Sequence, residues 1–317
     1  MLRDMFSEKL GDDDQEKIIY GYKFPLNSLG SGLTASDKAG ASDIMKAHKI
    51  PHIRTRLLLN PSLGPWAAPG GVWPSIHHYA STHHRYDVVC KPKDGSGGVD
   101  VIHSKNGRDM EAAIQKIFAT GKDAVICGYK PIAREIRVIV LNGVPEVIFE
   151  KIPPYIVGDG EKTTQALIEK YLAELPESRR KIINVNIEPS LRDSQKTPDE
   201  GEKIRLLWKF NLGQGATAML LGGHAVHLAK NEDDVEDLSL TNIIDLALRA
   251  TKVLNINFGS ADVVEVVDEP KPEKKWRIME VNSGVMMDNL MSQQGDFEKK
   301  IATQVFSDVI SAMFPNK

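Results

Sequence analysis

Cysteine is scarce, at 2 residues in 317. Cys90 and Cys127 sit in apolar, strand-like runs, and neither belongs to a CxxC or Cys/His ligand spacing. This excludes a disulfide framework and a structural zinc site from expectation and suits a reducing, cytoplasmic setting. No uninterrupted apolar run is long enough to span a bilayer, and the opening MLRDMFSEKLGDDDQEK is too acidic for a signal peptide. Neither sign of charge dominates, since 40 basic and 43 acidic residues give a formal net charge of −3. Bulk attraction to nucleic acid or to an anionic membrane is therefore not expected. The standard nucleotide fingerprints are also missing: there is no GxxxxGK[ST], no dinucleotide or protein-kinase glycine loop, no HRD and no DFG.

What is present is an alternation of helix and strand signals, in a length sufficient for one large domain or a few packed smaller ones. Ser36 reads as the cap of a helix that carries Ile44, Met45 and Ala47 and stops before Pro51. The prolines and glycines of residues 58–73 predict a long loop, with Trp66 and Trp73 anchoring it to the core. Strands are expected over 86–90 and 99–103, then a helix over 108–120 closed by Gly121. Further strands read over 124–129, 135–141 and 145–151, the last two joined by the Asn142-Gly143 turn. A helix follows over 163–175, then a charged surface stretch that includes ESRRK. Thr241 and Asp296 read as caps of two amphipathic helices, the second carrying Ile301, Val305, Val309 and Met313. There is no internal repeat, and the element order predicts an α+β protein with mostly antiparallel sheets.

Two features carry chemistry. The stretch KPKDGSGGVDV, from Lys91 to Val101, is either an ordinary hairpin with a glycine turn or a flap whose lysine and backbone N–H groups hold phosphates. Further on, FGSADVVEVV and KWRIMEVNSG flank the polar connection DEPKPEKK. A hairpin symmetric about Lys271 sets Asp262 opposite Glu280, and strand alternation puts Asn282 on their face, among Val264, Val266 and Ile278. Carboxylates about 5 Å apart on a buried face repel one another unless a cation or proton intervenes. An all-oxygen set of this kind suits Mg²⁺ completed by substrate phosphates. The alternative is an outward-facing polar row on an edge hairpin. The histidines His77, His78, His83 and His84 match no zinc-ligand spacing, and a solvated or substrate-facing loop is expected there.

In combination, and in this order, KPKDGSGG, AVICGYKPIAREIRVIVLNG, EKIPPYIVGDGEKT, NLGQGATAML, ADVVEV and MEVNSG resemble the ATP-grasp superfamily. Within it, the motifs are most similar to the carboxylate–amine ligases of the cyanophycin synthetase, glutathione synthetase and D-alanine:D-alanine ligase group. The resemblance runs from about Ser28 to Leu290. It implies two α/β subdomains with mostly antiparallel sheets clasping ATP: a small one over 37–130 with the glycine-rich lid, and a large one over 131–317 with the metal site. Residues 1–36 would be a reduced N-terminal region, leaving the acceptor site open, walled by the loop 61–84, or completed by another subunit.

The resemblance also carries residue roles. Lys91 would contact the α/β-phosphates, with Gly95, Ser96, Gly97 and Gly98 closing over the triphosphate. Ile126, Cys127, Gly128 and Tyr129 would form the adenine hinge, Cys127 and Gly128 standing where an acid is common. Glu135 would hold ribose. Arg137 and Lys151 would meet the γ-phosphate and acyl-phosphate charges, although a same-face Glu135–Arg137 ion pair is the competing reading. Asn211 would lie near the substrate carboxylate, with residues 213–216 beside it. Asp262, Glu280 and Asn282 would hold one or two Mg²⁺ ions, for which Mn²⁺ can substitute. The implied activity is ATP-dependent amide or peptide bond formation through an acyl phosphate, on small-molecule or peptide acids and amines, with a homodimer as a candidate assembly. A phosphotransferase acting on a hydroxyl, and a nucleotide-binding module without turnover, are the alternatives.

Overall fold

The computed structural model describes residues 6–8, 17–64, 72–95, 99–152, 155–175, 195–205, 217–223, 238–267, 275–285, 287 and 296–314. A short ribbon of β1 (Phe6–Glu8) and β2 (Lys17–Ile19) precedes the helices α1 (Leu29–Ser36) and α2 (Lys38–Ala47). Next come β3 (Thr55–Leu58), α3 (Val72–His84), β4 (Val88–Pro92), β5 (Ile102–Ser104), α4 (Gly107–Ala119) and β6 (Ala124–Gly128). The long hairpin β7 (Ile132–Leu141) and β8 (Val144–Ile152) leads into β9 (Tyr155–Val157), α5 (Thr164–Glu174) and β10 (Lys203–Arg205). The remaining elements are β11 (Thr217–Gly223), α6 (Leu238–Val253), β12 (Phe258–Val266), β13 (Trp276–Asn282) and α7 (Asp296–Met313).

Two sheets organise these elements, one ordered β3-β6-β4-β5 and one ordered β11-β8-β7-β12-β13. Every ladder in them is antiparallel, as the element order predicted. The five-stranded sheet is covered on both faces. On one, α2 and α6 pack Ala41, Met45, Ile243, Leu246 and Ala250 against Ile136, Val138, Ala261 and Val263. On the other, α7 places Ile301, Val305 and Val309 against Ile139, Val147, Phe149 and Phe258. In the four-stranded sheet, Val88, Cys90, Ala124 and Ile126 face α3 and α4. Helices α1 and α2 come before the four-stranded sheet in sequence, yet Ala35, Ala41 and Met45 belong to the core of the other one.

Local chemistry explains most element boundaries. Asn106 caps α4 by accepting from the Asp109 N–H, and Gly121 closes it at φ +75°. Asn142 and Gly143 take φ +49° and +80°, the paired positive values that a two-residue hairpin turn needs. Three expectations are corrected. The cap of α2 is Asp37, whose carboxylate accepts from the Ala39 and Gly40 N–H groups, while Ser36 ends α1, a helix its glycines concealed. Thr241 lies inside the first turn of α6 rather than capping it. The predicted loop ends early, because α3 takes up its last residues, and the histidines lie on that helix. Pro74 is tolerated in its first turn, and Ile76 and Ala80, at i and i+4, supply the buried face. Trp73 packs against the same core, whereas Trp66 and ESRRK lie outside the described residues.

The segment before α1 is tied to the large sheet by Asn27, by Asn257 Nδ2 donating to the Leu26 carbonyl at 2.8 Å, and by Phe24 packed edge-on to Phe258. Asn27 donates through Nδ2 to the Phe258 and Ser283 carbonyls at 2.6 and 3.2 Å and accepts at Oδ1 from the Asn257 and Phe258 N–H groups at 2.7 and 3.0 Å. Asn27→Ala removes these four hydrogen bonds and is expected to cost about 2 kcal/mol. A shift of the urea midpoint at unchanged slope would show it.

Candidate functional site

Side chains alternate along β12, so Ala261 and Val263 enter the core beneath α6 while Asp262 points to the opposite face. On its two neighbouring strands Asp262 lies directly opposite Arg137 and Glu280. The Asp262–Glu280 pairing is the one the hairpin symmetry predicts. A bulge follows at once: Val263 pairs with Ile278, skipping Met279. Ile278 therefore joins Val281 in the α6-covered core instead of lying among the carboxylates as expected. Asn282 sits opposite Ser260.

Asp262 is 2% exposed and doubly countered. Arg137 grips it with a fork, Nε to Oδ1 at 2.7 Å and Nη2 to Oδ2 at 2.8 Å, and Lys151 Nζ lies 3.1 Å from Oδ2. Lys151 also donates to Glu135 Oε1. Burial opposes the Asp262 charge, but Arg137 and Lys151 outweigh it and hold the carboxyl well below the usual carboxylate range. Burial likewise acts against the Arg137 cation, and Asp262 and Glu135 overcome it, so Arg137 stays charged. The same-face ion pair therefore runs Glu135 to Lys151, with Arg137 turned to Asp262.

Glu280 has a different cation. Lys38, the first residue of α2, places Nζ 3.2 Å from Glu280 Oε1 and donates to the Gly95 carbonyl at 2.5 Å. The Lys38 backbone N–H donates to the Lys93 carbonyl at 3.3 Å. The end of β4 and the start of the glycine-rich turn are thus tied to the carboxylate face. In the sequence the signal for Lys38 is its place directly after Asp37, the residue that caps α2.

On the four-stranded sheet, Lys91 alternates with the core-facing Cys90 and Pro92 and shares its face with Val89 and Cys127. Among the described residues Lys91 has no ion-pair partner. In the hinge, Ile126 is fully buried against α3 and α4 and can present only its backbone to a ligand. Burial pushes the Cys127 thiol up, and pushes that of Cys90 up to about 12. Both cysteines are free. A Cβ on Gly128 would lie 2.4 Å from the His84 ring, so any side chain here requires that ring to move. The Tyr129 ring stacks on His103 at 4.0 Å and is 40% exposed. Ser96, Gly97, Gly98, Asn211 and residues 213–216 lie outside the described residues.

The histidines of α3 have structural partners rather than a solvated loop: His77 meets Glu111 at 2.6 Å and the Tyr86 hydroxyl at 3.1 Å, and the rings of His83 and His84 both contact Tyr79. The donor set at the carboxylate face fits a hard divalent cation. Asp262, Glu280 and Asn282 can each offer oxygen, the ligand type such an ion takes, while in this structure Arg137 and Lys151 hold the Asp262 oxygens and Lys38 holds Glu280 Oε1.

No protein-family model matches the chain. Cyanophycin synthetase of Trichormus variabilis is 25% identical over 249 residues, which is 73% of this chain and 25% of that protein. The glutathione biosynthesis bifunctional protein of Listeria welshimeri is 24% identical over 235 residues, 69% of this chain and 28% of the relative. The chain thus spans about a quarter of the length of the curated relatives it matches. Among solved structures, D-alanine–D-alanine ligase from Bacillus anthracis superposes with a TM-score of 0.52 at 13% identity, covering 90% of this chain and 69% of that one. A bifunctional glutathione synthetase from Pasteurella multocida gives 0.50 at 14% identity, covering 93% and 40%.

Proposed function

We propose that this chain, whose fold is the ATP-grasp fold, joins a carboxylate to an amine at the expense of ATP, through an acyl phosphate. The observation that carries this reading is the Asp262–Glu280 cross-strand pair with Arg137 and Lys151 beside it, on a face tied through Lys38 to the glycine-rich turn that follows Lys91. The relatives named above are synthetases and ligases, which favours ligation over phosphoryl transfer to a hydroxyl. Amino acids or peptides are the proposed substrates.

A carboxylate is a poor electrophile, because amine attack would have to expel oxide. Attack of its oxygen on the γ-phosphorus of ATP breaks the bond to ADP and converts that oxygen into part of a phosphate leaving group. The amine nitrogen then attacks the acyl carbon, loses a proton and expels phosphate. No side-chain nucleophile takes part. The residues position groups and balance charge: Lys91 and the N–H groups of the glycine turn hold phosphates, and Arg137 and Lys151 offset negative charge at the transferred group. Glu135 restrains Lys151 and is the proposed ribose ligand, while the hinge backbone and Tyr129 flank the base. Asp262, Glu280 and Asn282 would hold Mg²⁺, which would supply positive charge to neutralise the phosphates.

The test is incubation with ATP, Mg²⁺ and pooled amino acids or peptides, read by mass spectrometry. The expected result is a product lighter than the summed reactants by one water, with ADP release that requires both a carboxylate and an amine. Phosphate addition to a hydroxyl compound, or release of AMP, would refute the reading.

A further inference from the structure

Two features of Lys38 point beyond phosphate and metal binding taken separately. Its ammonium lies 3.2 Å from Glu280, the proposed metal acid; the lysine side chain is 11% exposed and that of the acid 30%, so water still screens the pair in part. The same ammonium donates to the Gly95 carbonyl, and the neighbouring backbone N–H to the Lys93 carbonyl, so the lysine is held by the segment leading out of β4. The capped start of α2 fixes the other end, with Asp37 bonded to the N–H groups of Ala39 and Gly40. An ammonium and a divalent cation cannot both hold one carboxylate oxygen without strong repulsion.

We infer that Lys38 is a positioning residue that stands in for the metal at Glu280: it neutralises this acid before the metal arrives and must yield it when the metal binds. The inference rests on the proposed metal role of Glu280. Its consequence is a change of opposite sign to that of a residue that merely builds the site. Removing the Lys38 charge takes away a competitor, so divalent metal binds the nucleotide-free protein more tightly even though turnover falls. Lys93 supplies the comparison. It is a cation of the same segment, but its partners are Asp123 at 3.2 Å and Asp37 at 4.0 Å, and it does not contact Glu280.

The measurement is Mn²⁺ alone titrated into the full chain and followed by electron paramagnetic resonance, without nucleotide. Lys38→Met is expected to bind Mn²⁺ roughly tenfold more tightly than the unmodified protein, the effect of removing one unit charge some ångströms from a divalent ion in a largely aqueous dielectric. Lys38→Arg, which keeps the cation, and Lys93→Met are expected to stay within about twofold. Glu280→Gln is expected to weaken Mn²⁺ binding severalfold or more. Unchanged or weaker Mn²⁺ binding in a folded Lys38→Met protein, alongside the Glu280→Gln loss, would overturn the stand-in role and leave the metal site intact. Equal binding by Glu280→Gln and the unmodified protein would remove the metal site and the stand-in role with it.

Discussion

Glu280→Ala and Lys91→Ala are each expected to lower turnover roughly 100-fold or more, although they act from different sheets. Glu280 lies opposite Asp262 at the centre of the carboxylate face. Its loss removes an oxygen donor and leaves Lys38 without its carboxylate partner, held only at the Gly95 carbonyl. Lys91 projects from β4 without an ion-pair partner among the described residues. Its substitution should therefore leave the fold stable while removing charge from the proposed phosphate site. The measurement is steady-state ADP release by folded variants, each checked by circular dichroism. Near-normal turnover in both would end the assignment of this site.

Arg137→Met has the largest expected effect on stability, about 3 kcal/mol. The substitution leaves Asp262, which is 2% exposed, with Lys151 as its only cation among the described residues, and Lys151 is shared with Glu135. Replacing both partners, as Arg137→Met with Asp262→Leu, is expected to recover most of that loss, because the unpaired buried charge disappears along with the fork. Chemical denaturation at neutral pH measures both variants. Equal stability of Arg137→Met and the unmodified protein would show that the buried fork contributes little. The pH dependence has a definite sign. Asp262 is held below its ordinary range in the folded protein, so the unfolded chain takes up its proton first as pH falls. The stabilisation is complete above the ordinary carboxylate range and is lost as pH drops through that range towards the lower folded value. Arg137→Met should flatten that acid limb.

Local signals made much of the fold readable before any coordinates. The Asn142-Gly143 turn fixed the β7–β8 hairpin, and the spacing of Ile301, Val305 and Val309 marked the buried stripe of α7. Where local chemistry was ambiguous, packing decided. The histidines and Pro74 carry weak helix propensity, yet α3 forms because Ile76 and Ala80 enter the same core as Met110 and Ile114. Thr241 looks like a cap in sequence but sits inside α6.

The site divides along the same line. Hairpin symmetry about Lys271 names the Asp262–Glu280 pair, but the pair forms because a bulge shifts the register by one, since nearer the turn Glu265 faces Trp276 and not Arg277. Symmetry and alternation could not reveal the bulge that sends Ile278 into the core, because Ile278 and Met279 are both apolar and either could take the inward place. Nor could they pair Arg137 with Asp262, 125 residues apart in the chain, or bring Lys38 to Glu280 and Gly95. By itself the sequence determined which residue types were available and how each strand faces. The tertiary structure decided which charges meet, because only the packing of β7 against β12 and of α2 beside β13 sets distances between distant segments, and charge pairing depends on distance.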